Sequence, residues 1–158
     1  MKTLAFDTST TQTGWAYYEK DKYIDSGYIN FKGIKDVNER MAAMVQKIRE
    51  LIKNKRPDYI VAEKTSVARN QHTQRVLTMI LGALFGFSVE NGISFHMYSP
   101  GEWRKVIDGG SKPRKREELK KWDIEKAHEI LRLNNLNDDE ADAVLIGYAF
   151  CKERLKGE

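Results

Sequence analysis

Three apolar runs in this chain each meet acidic residues, and this pattern limits the folds that the chain can adopt. Asp7 follows Leu4-Ala5-Phe6, Glu63 follows Tyr59-Ile60-Val61-Ala62, and Asp139 with Asp142 opens the run Ala143-Val144-Leu145-Ile146. An ionised carboxylate beside a hydrophobic core carries a large desolvation cost, which falls when several carboxylates converge on a divalent cation. A fold that brings the three sites together is therefore favoured over one that keeps them apart.

The spacing of apolar residues predicts an α/β sandwich with a mixed sheet, folded as a single domain over residues 1–158. Period-two alternation indicates strands, whereas apolar residues three and four apart indicate helices. Asp36 and Asn137 are suitable helix N-caps, because each is followed three residues later by a glutamate. The predicted strands are 2–7, 14–19, 23–29, 59–63 and 94–98; the predicted helices follow Asp36 and then span about 73–90, 100–107, 115–134 and 138–155.

The predicted helix at about 73–90 is apolar nearly all round, which is typical of a helix at the centre of a protein or at an interface. Gly82 and Gly86 lie about one turn apart in it. Because glycine costs helix stability, we expect packing to require both, by letting another element approach closely. A fully covered core helix and a subunit interface are both consistent with this pattern.

The chain is mildly basic, with a net charge of +4 and a pI of about 9.1, which is compatible with nucleic acid but not diagnostic of it. The distribution of charge is more informative. Residues 101–121 contain eight lysines or arginines and four acidic residues, so their local excess equals the net charge of the whole chain. Such a run is ordinarily a solvated face, and it also suits contacts with phosphate.

The single cysteine, Cys151, excludes an intramolecular disulfide and argues against a cysteine-based zinc site. The pattern from Met1 leads directly into a strand, so we expect no signal peptide and an intracellular, cytoplasmic protein. The longest apolar stretch, 76–89, is shorter than the roughly 20 residues needed to span a bilayer, so we expect no membrane partner.

Each acidic site also has an ordinary structural explanation. Asp7 could cap the turn that follows it, and Glu63 could be a strand-end charge that points to solvent. Acidic residues near a helix N-terminus interact favourably with the helix dipole, by about 0.3–1 kcal/mol each. The dipole explains Asp142 less well, because Asp142 lies one turn inside the helix and shares its core-facing stripe with Ile146 and Ala149.

The acidic sites together fit a centre for hard divalent cations better than any of them does alone. Such ions bind several oxygen ligands, and two-metal centres for phosphoryl transfer use a bridging carboxylate. Asp7, on a central strand, could bridge two ions, with the other carboxylates on either side. The three histidines, His72, His96 and His128, are scattered and are expected to be structural. A basic chain with this centre is a candidate metal-dependent nuclease.

Three segments resemble the RuvC-type Holliday-junction resolvases of the ribonuclease-H-like superfamily. They are Ala5-Phe6-Asp7-Thr8-Ser9 with Thr13-Gly14, Ile60-Val61-Ala62-Glu63, and Asp139-Glu140-Ala141-Asp142-Ala143. The last, an Asp-x-x-Asp-Ala motif that opens an apolar helix, is the most specific. The resemblance extends over nearly the whole chain in length and element order, and the short length is similar to that of the phage-encoded members.

The resemblance implies a ribonuclease-H-like fold and a homodimeric, structure-selective endodeoxyribonuclease. It would resolve four-way and other branched DNA junctions by paired nicks that leave 5′-phosphate and 3′-hydroxyl ends. The implied Mg²⁺ ligands, for two ions with Mn²⁺ able to replace them, are Asp7, Glu63, Asp139 and Asp142. Lys115 matches the basic residue that assists catalysis in the family, and the helix with Gly82 and Gly86 is the dimer candidate. The expected DNA contacts are Lys64, Arg104, Lys105, Lys112, Arg114, Lys115 and Arg116.

The loop after Glu63 departs from the family pattern. Cellular members tend to carry an aromatic residue there that stacks on junction bases, whereas this chain has Lys64-Thr65-Ser66. We therefore expect a looser sequence preference of cleavage. Trp103 could stack on a base or be buried beside the sheet, and burial is the expectation.

Three other functions are consistent with parts of the pattern. A ribonuclease-H-like enzyme that acts on RNA or RNA–DNA hybrid would share the fold, since a fold does not choose its substrate. Asp7-Thr8-Ser9 with Thr13-Gly14 is also similar to the phosphate loop of actin-like ATPases, although that fold needs two such domains. A non-catalytic junction-binding module would bind the junction without metal-dependent cutting.

Overall fold

The computed structural model describes residues 1–65, 70–108 and 111–157, which form one sheet with helices on both faces. The strands are β1 (Lys2–Thr8), β2 (Gln12–Glu19), β3 (Lys22–Asn30), β4 (Tyr59–Glu63) and β5 (Ser94–Tyr98). The helices are α1 (Val37–Lys55), α2 (Gln71–Asn91), α3 (Pro100–Asp108), α4 (Arg116–Leu131) and α5 (Asp138–Lys156).

The sheet has the strand order β3-β2-β1-β4-β5 and mixes two kinds of pairing. The first three strands are antiparallel neighbours joined by short turns, whereas β4 and β5 run parallel to β1. The two parallel connections pass through α1 and α2, as parallel strands require a long crossover. The predicted mixed five-stranded sheet flanked by helices is confirmed.

Alternation along the strands divides the interior into two cores. Leu4 packs in the core shared with α1 and α2, whereas Ala5 of β1 and Val61 of β4 pack in the core shared with α5. Asp7 and Glu63 follow Ala5 and Val61 at a spacing of two residues, so they emerge on the α5 face. Strand periodicity thus sends both carboxylates to one side of the sheet.

The helix α5 lies against that face, and two glycines allow it to approach the strands closely. A Cβ atom added to Gly147 would lie 2.5 Å from Cε2 of Tyr18, and one added to Gly14 would overlap the backbone of Asp139. The Tyr18 hydroxyl donates to the carbonyl oxygen of Val144 at 2.7 Å, which fixes the height of α5 above the sheet. These contacts hold the first turn of α5 directly over β2.

Both expected N-caps are confirmed. The side chain of Asp36 accepts a hydrogen bond from the amide of Glu39, and that of Asn137 accepts one from the amide of Glu140, each at 2.9 Å. The carboxylate of Glu140 accepts from Oγ of Ser26 at 2.7 Å, which ties the start of α5 to β3.

The helix α2 is not fully covered, although its sequence was consistent with a fully covered core helix. One face is buried, but Met79, Phe85 and Val89 on the other are 53%, 56% and 66% exposed. A Cβ atom added to Gly82 or Gly86 would meet no described atom within 4 Å. Packing within the described residues does not require these glycines, because both lie on the open face, and their close approach to another element stays a prediction. Within the described residues, no helix has the length and apolar character needed to cross a membrane.

Candidate active site

A cleft of about 640 Å³ opens where the carboxyl ends of β1 and β4 meet the first turn of α5. The helices α3 and α4 form its opposite wall. All four carboxylates that the sequence suggested as metal ligands line this cleft: Asp7, Glu63, Asp139 and Asp142. Residues that are distant along the chain therefore meet in one depression at the edge of the sheet, where ligand sites of open α/β sheets are commonly found.

The two strand carboxylates come from neighbouring positions of a parallel pair. The register aligns Phe6 of β1 with Ala62 of β4, so Asp7 and Glu63 are the next residue of each strand. Adjacent strands are about 4.8 Å apart, which brings the two side chains to the same edge. The hydrogen-bonded sheet fixes both backbones, and Asp7 is only 8% exposed.

The helix carboxylates reach the cleft because α5 begins above Gly14, the residue that pairs with Asp7 across β1 and β2. The Asp139 side chain hydrogen-bonds to Asp7, and its Oδ2 atom accepts from Nε2 of Gln12 at 3.0 Å. A turn holds Gln12 in place, since its amide donates to Oγ of Ser9 at 3.0 Å. Asp139 is therefore oriented from two strands at once.

The wall formed by α3 and α4 also contacts the carboxylates. Trp103 is fully buried, which confirms the sequence expectation, and its indole nitrogen Nε1 donates to Oε2 of Glu63 at 2.7 Å. Arg104 was expected at a DNA-facing surface, but it is 9% exposed and binds both carboxylate oxygens of Asp123, at 3.0 and 2.6 Å. Asp123 is itself 1% exposed and hydrogen-bonds to Asp142.

Crowding changes the protonation of the helix carboxylates. Burial raises the pKa of Asp142 well above its ordinary value, and the negative charges of Asp7, Asp123 and Glu63 raise this pKa further. Burial also raises the pKa of Asp139, while its hydrogen bonds with Asp7 and Gln12 act in the opposite direction. A bound cation would favour the ionised forms and so offset both the burial and the mutual repulsion.

The donor set of the cleft fits a hard divalent cation. Carboxylate oxygens are the ligands that Mg²⁺ and Mn²⁺ prefer, and none of the three histidines is among the residues lining this cleft. Across the described ranges, no three acidic, histidine or cysteine side chains form a ready-made metal cage.

Three basic residues line the cleft: Arg104, which is paired with Asp123, and two residues of α4. Arg116, an expected DNA contact, occupies the first turn of α4. Lys120, one turn later, also lines the cleft, and its Nζ atom lies 2.5 Å from Oδ2 of Asp138. Lys115 is the residue that was expected to assist catalysis. It is exposed at the N-cap position of α4, next to Arg116, and it is not among the residues that line the cleft.

The other expected DNA contacts lie outside the carboxylate cleft. Lys64 and Lys105 line a separate pocket of about 590 Å³, where Lys64 forms a 3.3 Å ion pair with Glu102. Arg114 is exposed, and Lys112 is partly buried with its Nζ atom near Gly101 of α3. The loop after Glu63 continues through Ser66, which lies outside the described residues together with 67–69.

Sequence analysis missed three residues that line the cleft, Gln12, Lys120 and Asp123, and it did not predict the hydrogen bond that Trp103 donates to Glu63. A signal existed for Asp123, which interrupts the inward stripe of α4 between Leu119 and Ala127 in the way that Asp142 interrupts α5. No comparable signal marked Gln12, because a polar residue in a turn is ordinary.

The sequence of this chain is similar to the sequences of known proteins. The family model for crossover junction endodeoxyribonuclease RuvC matches residues 4–150 of the chain. Crossover junction endodeoxyribonuclease RuvC of Brachyspira hyodysenteriae is 28% identical over 153 residues, which cover 94% of this chain and 92% of that protein.

Two solved structures share the fold over nearly their whole length. T. thermophilus RuvC in complex with a Holliday junction substrate has a TM-score of 0.80 at 18% identity, covering 99% of this chain and 96% of that one. The fowlpox virus resolvase in complex with Holliday junction DNA has a TM-score of 0.69 at 16% identity, covering 98% and 99%. These likenesses confirm the expected ribonuclease-H-like fold.

Proposed function

This chain belongs to the RuvC family of crossover junction endodeoxyribonucleases, and from that membership we propose that it resolves Holliday junctions by paired, divalent-metal-dependent nicks. Such an activity serves DNA recombination and repair. The observation that supports this most strongly is the convergence of Asp7, Glu63, Asp139 and Asp142 on one cleft. Strand ends and helix caps stabilise their own elements separately and do not need to converge.

The four carboxylates would hold Mg²⁺, with enough oxygens for two ions, and Mn²⁺ accepts the same ligands. When bound, the metal supplies a water of lowered pKa and neutralises charge that develops on the departing 3′ oxygen. The protein's own contribution is to fix the ligands in advance. Asp7 and Glu63 are fixed by the sheet, and Gln12 holds Asp139. The expected products carry 5′-phosphate and 3′-hydroxyl ends.

The basic residues of α4 would bind the phosphates that flank the scissile bond. Arg116 and Lys120 face the carboxylates across the cleft, so a DNA backbone between the two walls would meet metal on one side and cations on the other. We retain Lys115 as the candidate that assists catalysis, since it directly precedes Arg116. Lys64, Lys105, Lys112 and Arg114 remain proposed backbone contacts, whereas Arg104 is better placed to support the wall through Asp123.

A homodimer would present two such clefts to the two-fold symmetric substrate. The exposed face of α2, with Met79, Phe85 and Val89 around Gly82 and Gly86, is the proposed contact between the two copies. The glycines would then allow the paired helices to approach closely, which is the role that the packing within one chain does not give them.

An end-labelled synthetic four-way junction, incubated with Mg²⁺ and either the parent protein or Asp7→Asn, tests the proposal. Paired, ligatable nicks by the parent, lost in Asp7→Asn, are the expected result. Junction binding without cutting by either protein, in Mg²⁺ or Mn²⁺, would instead indicate a binding module.

Parallel reactions with RNA and with RNA–DNA hybrid test the alternative substrates. The cleavage rate of Lys115→Ala tests whether Lys115 assists catalysis.

The expected loose sequence preference is tested on junctions whose branch point can migrate through different sequences. The measurement is a map of the cleavage sites. Cuts spread over several tetranucleotides are expected, because no aromatic residue occurs in Lys64-Thr65-Ser66. One sharply preferred tetranucleotide would contradict this expectation.

A further inference from the structure

We propose that Trp103 of α3 is a positioning residue that sets the orientation of the Glu63 carboxylate at the end of β4. This inference rests on the proposed function, since it concerns the metal-binding role of that carboxylate.

The indole of Trp103 fixes Glu63. The tryptophan is fully buried, and its only polar atom, Nε1, donates to Oε2 of Glu63 at 2.7 Å. An indole N–H is a donor only, and an unsatisfied buried donor costs about 1–3 kcal/mol, so the core itself favours this bond. The bond restricts the rotamers that the Glu63 side chain can adopt.

Arg104, the next residue of α3, anchors this helix to α4. Its Nε and Nη2 atoms donate to the two carboxylate oxygens of Asp123, and the two side chains are 10% and 2% exposed. A buried ion pair needs good geometry to offset its desolvation cost, so this contact holds α3, and with it Trp103, in a defined position.

Trp103 therefore lies on a helix that is held on several sides. The helix α3 packs on α5, follows β5 directly and is tied to α4 by Arg104. A contact between a metal ligand and the residue behind it typically changes metal affinity or activity by about 10–100-fold when removed.

Calorimetric titration of the purified protein with Mn²⁺, in the absence of DNA, tests the role of Trp103. Trp103→Phe keeps the aromatic volume but removes the N–H donor, and Trp122→Phe is the matched control, because Trp122 contacts Lys126 rather than a carboxylate. We expect Trp103→Phe to weaken Mn²⁺ binding about tenfold and the control to change it less than about twofold. The same loss should be absent in the Glu63→Ala background, which has no side-chain oxygen to accept the indole N–H.

Thermal unfolding should show that Trp103→Phe is folded, since the substitution nearly conserves the aromatic volume.

The outcomes separate this inference from the proposed function. A parent protein that binds no Mn²⁺ would overturn both. A parent that binds Mn²⁺, together with a folded Trp103→Phe variant that binds it equally tightly, would overturn only the positioning role. An equal effect of Trp103→Phe in the Glu63→Ala background would also overturn it, because the tryptophan would then act by general packing.

Discussion

Gly14 lies directly beneath the backbone of Asp139, so that any side chain at position 14 would overlap the first turn of α5. A Cβ atom there would lie 2.7 Å from the amide nitrogen of Glu140 and closer still to the Asp139 carbonyl group. Gly14 also pairs with Asp7 across β1 and β2. The absence of a side chain at Gly14 thus sets the distance between the strand carboxylate and the helix carboxylates.

Gly14→Ala should therefore reduce both stability and cleavage. Backbone atoms cannot rotate away from the added methyl group, so α5 must shift, at a cost of about 1–3 kcal/mol or more. Thermal unfolding and junction cleavage measure the two effects. Gly33→Ala is the matched control, since a Cβ atom there meets nothing within 4 Å. Equal behaviour of the two variants would show that α5 is not held at this height by Gly14.

Asp142→Asn should stabilise the metal-free protein increasingly as pH rises. The pKa of Asp142 is raised in the folded state, so its contribution to stability is fully present below the unfolded pKa and is lost as pH rises through the folded pKa. Asparagine is neutral at every pH and avoids this loss. In the presence of a chelator, the unfolding temperature of the variant should increasingly exceed that of the parent protein between about pH 4 and 8. The variant should not cut junctions. A constant difference across this range would contradict the expectation.

Lys120→Ala should weaken junction binding and lower its dependence on salt. Lys120 lines the cleft with a side chain that is 48% exposed, so a DNA phosphate can compete with Asp138 for it. Losing one phosphate contact should reduce the slope of log affinity against log salt by about 1. Fluorescence anisotropy with labelled junction in Ca²⁺ measures the slope. Lys47→Ala, which removes an exposed lysine of α1 paired with Glu50, should leave the slope unchanged.

Phe85→Glu should convert a dimer into folded monomers. Phe85 is 56% exposed in the middle of the apolar face of α2, and burying an unpaired carboxylate between two copies is costly. Sedimentation velocity gives the oligomeric state, and nicking of the two opposed strands should become uncoordinated. Ile24→Glu, at another exposed apolar position, on β3, should remain dimeric. A monomeric parent at micromolar concentration would refute the proposed interface.

Local sequence patterns predicted most of the scaffold. Alternation in the strands and the spacing of apolar residues in the helices gave the five strands, the helices and both N-caps, because these depend on neighbours along the chain. The same periodicity placed Asp142 on the inward stripe of α5. The carboxylates could be suggested as a group because acidic residues at the ends of buried runs need a compensating partner.

Only the tertiary structure decided how the elements meet. The sequence indicated close packing at Gly82 and Gly86, whereas among the described residues the glycines with the closest neighbours are Gly14, Gly27 and Gly147. It also placed Arg104 among surface phosphate contacts, whereas folding buries it against Asp123. Both outcomes depend on contacts between segments far apart in the chain, and a local pattern of residue types does not specify which distant surface a side chain will face.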